Sequence, residues 1–197
     1  MPRAAPYDRD KTLDAAMSLF WDKGYHATSL KDLEAALCMK PGSIYAAFQS
    51  KQNLYLLALE KYFNFSRQLL AQKIAQAATP LQGLADHLRS YPQLNPDDAK
   101  RQACMLTKTI VDTRSTDPLI AEKARDYMGA IRRDIALAFA AAREQGELPA
   151  DANPERLARR YQANITALRL EMHQATDQFD LVNLAEDMAT EVESLRL

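Results

Sequence analysis

The chain has 197 residues, with 25 Lys and Arg against 26 Asp and Glu and a formal net charge of −1. That length supports one large or two small domains with a real core, and the charge balance excludes a molecule-wide attraction for nucleic acid or acidic membranes, so an anionic partner must meet a local patch. Two cysteines, Cys38 and Cys104, form no disulfide framework and point to a reducing cytoplasm.

No apolar run approaches the roughly 20 residues of a membrane span, and MPRAAPYDRDK at the N-terminus lacks the apolar core of a signal peptide. The five glycines and nine prolines are few and cluster at breaks, and the long segments between them are rich in Ala, Leu, Arg, Gln and Glu. These are strong helix formers, and no segment alternates like a strand, so an all-α fold is expected.

The first helix is expected from about Asp8 to Lys23. Leu13, Ala16, Met17 and Phe20 share one face, and Gly24 sits at the left-handed position that ends it. A second helix follows Thr28 or Ser29, with Ser29 and Asp32 approximating a capping box and Leu33 and Leu37 turned inward. Cys38-Met39-Lys40 makes a three-residue turn. A third helix takes Pro41 at its first position, where a missing N–H does no harm, and buries Ile44 and Phe48. Ser50 caps a fourth that reaches Ala78 and is apolar on several sides, hence buried on several sides.

Beyond Pro80 a short helix covers residues 81–90 and breaks at Tyr91-Pro92, and another covers 97–114. Asp117-Pro118 opens a long helix with Tyr127, Ile131, Ile135, Ala138 and Ala142 on one face, stopped by Gly146. Asn153-Pro154 opens the next, and a final helix carries Leu181, Ala185 and their neighbours. The last two apolar stripes fit a helix-pair interface between two copies of the chain, centred on Leu157, Tyr161, Leu168, Leu184, Met188 and Val192. Simple core packing is the competing reading.

Three short helices with minimal connections, the second and third joined by a tight turn, have the spacing of a helix-turn-helix, whose second helix enters a DNA major groove. The outer side of KPGSIYAAFQSK suits that task. Gly42 admits close backbone approach, Ala46 and Ala47 are small, Ser43 and Tyr45 face the groove, and Lys40 and Lys51 bracket the helix where flanking phosphates lie. Thr28, Ser29 and Lys31 add phosphate contacts from the helix behind. Against this, exposed lysine is the default on any surface. Residues 1–51 hold seven Lys and Arg against six Asp and Glu, so charge alone does not decide for DNA.

His26, His87 and His173 are scattered, and no His/Cys/carboxylate spacing resembles a metal site. There is no phosphate-cradling glycine loop and no nucleophile elbow. No catalytic residue, metal or cofactor is expected.

The stretch LFWDKGYHATSLKDLEAALCMKPGSIYAAFQSKQNL, residues 19–54, resembles the DNA-binding signature of the TetR (tetracycline-repressor) family of bacterial regulators over its whole length. Phe20, Gly24, Tyr25, Thr28, Ser29, Leu33, Gly42, Tyr45, Phe48, Lys51 and Leu54 stand where that pattern wants such residues. ACMLTKTIVD is similar to a Gly-Cys-Leu segment of one subgroup, and AREQGELPADANPERLA to its Gly-Glu-Leu-Pro segment. Departures are Cys38 where glycine is frequent, Pro41 rather than lysine directly before Gly42, and Ala46-Ala47 in place of an aromatic and a histidine. A left-handed Cys38 would carry a strain of about 1 kcal/mol.

The resemblance implies a DNA-binding domain over 1–50 and a helical ligand-binding and dimerisation domain over 51–197. It implies a homodimer that represses from a palindromic double-stranded operator until a small molecule loosens its grip, with no membrane partner. Pocket candidates are Tyr62, Phe63, Leu84, Leu88, Cys104, Met105, Lys108, Thr109, Tyr127 and Ile131, each also a plausible core residue. With few cations at apolar positions, a mostly apolar ligand is expected. Two rival readings remain: a thiol-sensing repressor in which Arg101 and Lys108 activate Cys104, and a helical ligand-binding protein without DNA binding.

Overall fold

The computed structural model describes residues 7–94, 103–174 and 176–197. Among them the regular structure is helical: α1 Arg9–Lys23, α2 Leu30–Leu37, α3 Pro41–Phe48, α4 Lys51–Gln76, α5 Pro80–Ser90, a 3-10 turn Tyr91–Gln93, α6 Met105–Thr113, α7 Pro118–Glu144, α8 Pro154–His173 and α9 Gln178–Glu193. Of the helix expected over 97–114, residues 97–102 lie outside the described ones, and the helix begins only at Met105.

The boundaries follow from local chemistry. Asp8 caps α1 by accepting from the N–H groups of Asp10 and Lys11, and Gly24, at φ +82°, closes it by donating to the Phe20 carbonyl at 2.8 Å. Ser29 and Asp32 form a full capping box on α2. Pro41 opens α3. Ser50 accepts from the Asn53 N–H at 3.0 Å and starts α4. Asn153 accepts from the Arg156 N–H at 3.0 Å and starts α8.

Among the described residues two that are not glycine have positive φ, and both flank α3. Cys38 ends α2 in the left-handed conformation, φ +50° and ψ +38°, so it takes the strained alternative. Gln49 ends α3 at φ +68° and ψ −52°. There the Ser50 N–H donates to the Phe48 carbonyl at 2.8 Å, two residues back, which makes Gln49 the centre of a γ-turn of the rare, strained hand.

The described residues form two compact units. The first runs to Phe63 and includes Met105–Arg125; the second takes Asn64 to Cys104 and Asp126–Leu197. The first unit therefore extends past the 1–50 segment to include the start of α4, all of α6 and the first turns of α7. Its core holds Phe20, Trp21, Leu33, Ile44, Phe48, Leu54, Tyr55 and Tyr62, each at most 2 % exposed. Edge-to-face ring pairs, Phe20 with Tyr55 and Trp21 with Tyr62, add to that packing.

In the second unit, Leu81, Leu84 and Leu88 of α5 share a core with Ile135, Phe139, Ala142, Tyr161 and Ala189. Arg89 of α5 reaches two carboxylates of α9, Glu186 and Glu193, with four hydrogen bonds of 2.7–2.9 Å. Gly83 packs against the end of α4 so closely that a Cβ there would lie 2.6 Å from the Ile74 Cα.

Candidate functional site

Helix α3 has eight residues and cannot stand alone in water. Ile44 and Phe48 seal its inner face. Arg9 secures its far end: the guanidinium donates to the Ala47 carbonyl at 3.5 Å and lies 5.1 Å from the Phe48 ring centre. The opposite side is open. Lys40, Gly42, Ser43, Tyr45 and Ala46 are exposed, Pro41 is half-buried, and Lys31 is exposed on α2. With Ser29, which is also exposed, the structure thus brings seven of the ten expected DNA contacts onto open surface.

Three of the ten differ from a freely solvated contact. Lys51 is half-buried, with its ammonium 4.7 Å over the Tyr25 ring, and burial pushes its pKa down against an opposing pull from Asp32. The charge is held in place by an aromatic face. The Ser29 hydroxyl donates to Asp32 at 2.6 Å and accepts from its N–H at 3.1 Å. Lys23, through its hydrogen bond, and then Ser29 hold that Asp32 carboxyl well below the usual range. Thr28 corrects the expectation: it is fully buried, and its hydroxyl donates to the Gly24 carbonyl at 2.7 Å. Its side chain shapes the entry to α2 and does not face solvent.

A second set of bonds, within the same unit, joins these helices to α6 and the start of α7. Lys108 was expected near a ligand. Its ammonium instead donates to the carbonyls of Trp21 at 2.6 Å and Asp22 at 3.0 Å, the negative end of the α1 dipole. The Thr109 hydroxyl donates to the Met105 carbonyl, so the Tyr55 O–H donates to Thr109 across 2.7 Å. Burial pushes the Tyr55 pKa up to about 12. Gln52 donates to Asp117 at 3.0 Å, and His26 meets Thr116 at 2.6 Å. No periodicity in the sequence announces these pairs, which link residues 54 to 90 positions apart. Lys61 adds ion pairs from α4 to Asp10 and Asp14 of α1.

The description "Bacterial regulatory proteins, tetR family" matches residues 13–58, and "Tetracyclin repressor-like, C-terminal domain" matches residues 77–183, more than half of the chain. The chain belongs to the TetR family. It is a transcriptional regulator whose first unit carries the family's helix-turn-helix. The repressor ComR of Escherichia coli K12 is 28% identical over 148 residues, covering 75% of this chain and 70% of ComR. A cysteine mutant of the TetR-family regulator CifR, solved with 26 bp of double-stranded operator DNA, is 26% identical with a TM-score of 0.77 and covers 95% of this chain and 98% of its own. A TetR-family regulator from Cytophaga hutchinsonii shares the fold at TM-score 0.80 and 20% identity, covering 96% and 94% of the two chains.

The ten expected effector residues of this TetR-family chain divide between the units: Tyr62, Phe63, Met105, Lys108 and Thr109 in the first, and Leu84, Leu88, Cys104, Tyr127 and Ile131 in the second. Leu84 and Leu88 are close-packed core, and Lys108 and Thr109 are engaged as described. An open apolar groove of about 590 Å³ lies within the second unit, walled by Leu70, Ile74, Leu137 and Ala138 and edged by the Arg67–Asp134 ion pair. It was not anticipated, because the pairing of α4 with α7 leaves no local trace. Of the cations expected to activate Cys104, Lys108 is held at α1 and Arg101 lies outside the described residues.

Three residues of the expected dimer stripe lie inside the chain itself. Tyr161, Leu168 and Val192 are buried in the chain's own core, and Leu157, Leu184 and Met188 are half-buried against it. Open apolar surface on α8 and α9 lies instead at Ala163, Ala167, Leu170, Phe179 and Val182, with Phe179 71 % exposed.

The second unit also contains a buried polar chain. The Tyr161 O–H donates to the Leu84 carbonyl at 2.8 Å, so His87 Nδ1–H must donate to the Tyr161 oxygen, also at 2.8 Å. His87 Nε2 then accepts from the Tyr91 O–H at 3.3 Å. Burial, reinforced by the charges of Arg169 and Lys73, pushes the His87 pKa down to about 3, which keeps the ring neutral in this single tautomer.

Proposed function

We propose that this regulator is a homodimeric, cytoplasmic repressor. Two copies of α3 enter successive major-groove faces of a palindromic operator, and a small, mostly apolar molecule bound in the second unit weakens that hold. The observation that carries this reading is the open ridge from Lys40 to Ala46 on a helix whose other face is sealed by Ile44 and Phe48. Lys40 and Lys51 take flanking phosphates, while Ser43 and Tyr45 face the groove. The two copies meet along the exposed strip Ala163, Ala167, Leu170, Phe179 and Val182, where the two alanines permit close helix approach. The apolar walls of the α4–α7 groove, within the usual size range of ligand sites, support the effector class.

Release travels along elements that belong to both units. α4 runs from Lys51 to Gln76 and α7 from Pro118 to Glu144, each crossing from one unit into the other. Lys108 and Thr116 fasten α6 and the turn before α7 to α1 and the segment after it, and Thr109 and Asp117 fasten them to the start of α4. The effector must bind the released state better, because equal binding shifts nothing.

The test uses fluorescence anisotropy with duplexes from the DNA flanking the coding region, then calorimetry of the effector with and without saturating operator. One palindromic fragment is expected to bind specifically. Effector should lower its affinity roughly 5- to 150-fold, and operator should weaken effector binding by the same factor. Binding to flanking DNA no tighter than to unrelated DNA would overturn the reading.

A further inference from the structure

We infer that Gln49 reads a base, taking the adenine edge of an A·T pair at the end of α3. The inference rests on the operator-binding reading above. Gln49 lies three and four positions after Ala46 and Tyr45, and its N–H still donates to the Tyr45 carbonyl at 2.8 Å. It therefore follows directly on the last turn of α3, and it is exposed. The ridge itself offers few groups that can read a base: Gly42 and Ala46 have none, and Ser43 and Tyr45 have one hydroxyl each. Gln49 supplies a primary amide, which carries a donor and an acceptor side by side.

The backbone points the same way. At φ +68° and ψ −52° glycine would sit without strain, whereas a side chain sits there at a cost. The surroundings impose that conformation. The Phe48 carbonyl accepts from the Ser50 N–H at 2.8 Å and from the Asn53 side chain at 3.0 Å, and the Ser50 hydroxyl caps α4. None of these bonds uses the Gln49 side chain, and that side chain makes no hydrogen bond within the described residues. A strained position held by its neighbours, with an uncommitted exposed amide at the end of the helix proposed to enter the groove, is arranged for an external partner. Adenine presents N7 as acceptor and N6 as donor in the major groove, the complement of a glutamine amide.

The experiment selects bound duplexes from an operator library randomised across each half-site, using the full-length wild type, Gln49→Gly and Gln49→Glu, with melting temperatures measured in parallel. Wild type is expected to prefer adenine at one position per half-site by about 5- to 150-fold, the discrimination of one bidentate pair. Gln49→Gly should lose that preference while other positions, and the salt dependence, stay unchanged. Its melting temperature should be no lower than wild type, because the strain is relieved. Gln49→Glu should shift the preference to cytosine, whose amino group an acceptor-only side chain takes. An unchanged base preference in both variants, or a uniform loss across all sequences, would overturn the assignment to Gln49 while leaving the repressor reading intact. A wild type that selects no sequence would overturn both.

Discussion

The ammonium of Lys108 lies 2.6 Å from the carbonyl oxygen of Trp21, 87 positions earlier in the chain. It closes the last turn of α1, where unpaired carbonyls gather partial negative charge. A positive charge there anchors α6 to the helix that supports α3 from behind.

Replacing Lys108 with methionine keeps most of the stem and removes the charge. The expected loss is about 1–2 kcal/mol of stability, read from the emission of Trp21, the single tryptophan and a buried one, during urea unfolding. Operator–effector coupling should shrink as well. A variant that unfolds at the wild-type midpoint would show that the cap contributes nothing.

Lys51 sits over Tyr25 and keeps its charge at the start of α4. Lys51→Ala should weaken binding to all duplexes alike and reduce the slope of log K against log salt by about one unit. Unchanged affinity at three salt concentrations would remove Lys51 from the phosphate contacts.

Cys38 holds a left-handed conformation that glycine adopts freely. Cys38→Gly should raise stability by about 1 kcal/mol. Chemical unfolding of both proteins checks this, and a lowered midpoint would contradict the strain.

His87 is neutral and buried, with its folded pKa depressed to about 3. Between that value and the ordinary one near 6.5, the unfolded chain binds a proton that the folded chain refuses. This contribution is therefore fully present above about pH 6.5 and is lost as pH falls toward 3, by at most roughly 1.4 kcal/mol per pH unit. His87→Gln removes it. The stability difference between pH 7 and pH 5 should be smaller in the variant than in wild type, and an equal difference in both would contradict the assignment.

Leu170 and Val182 lie on the open strip of α8 and α9. Changing both to Glu should yield folded monomers by sedimentation velocity with an unchanged helical circular dichroism signal. The same change at Leu168, which is fully buried, should instead unfold the protein. A Leu170/Val182 variant that stays a tight dimer would move the interface elsewhere.

Local chemistry was readable in the sequence, and pairing at a distance was not. Ser29, Pro41, Gly24, Gly146 and Asn153 mark helix ends because caps act within a few residues. Ile44 and Phe48 announce the inner face of α3 by their spacing alone. The same spacing does not say what covers a face, so it does not distinguish Tyr161, Leu168 and Val192, which belong to the chain's own core, from residues that meet a partner. Thr28 is polar and near the reader, yet a short hydroxyl readily turns back to a carbonyl four residues away, as it does toward Gly24. The bonds of Lys108 and the carboxylates gripping Arg89 depend on which helices come to lie side by side, and a single sequence leaves no periodic record of that.

The missing side chain at Gly83 limits how α4 can move. With no room for even a methyl group between residue 83 and the backbone at Ile74, the last turns of α4 are seated on α5 like a shaft in a socket. Sliding α4 along its axis would drive the bulk at neighbouring positions of either helix into the other. At the Gly83 seat α4 and α5 therefore shift as one piece, and a displacement of α4 independent of α5 is a swing or bend of the residues before Ile74.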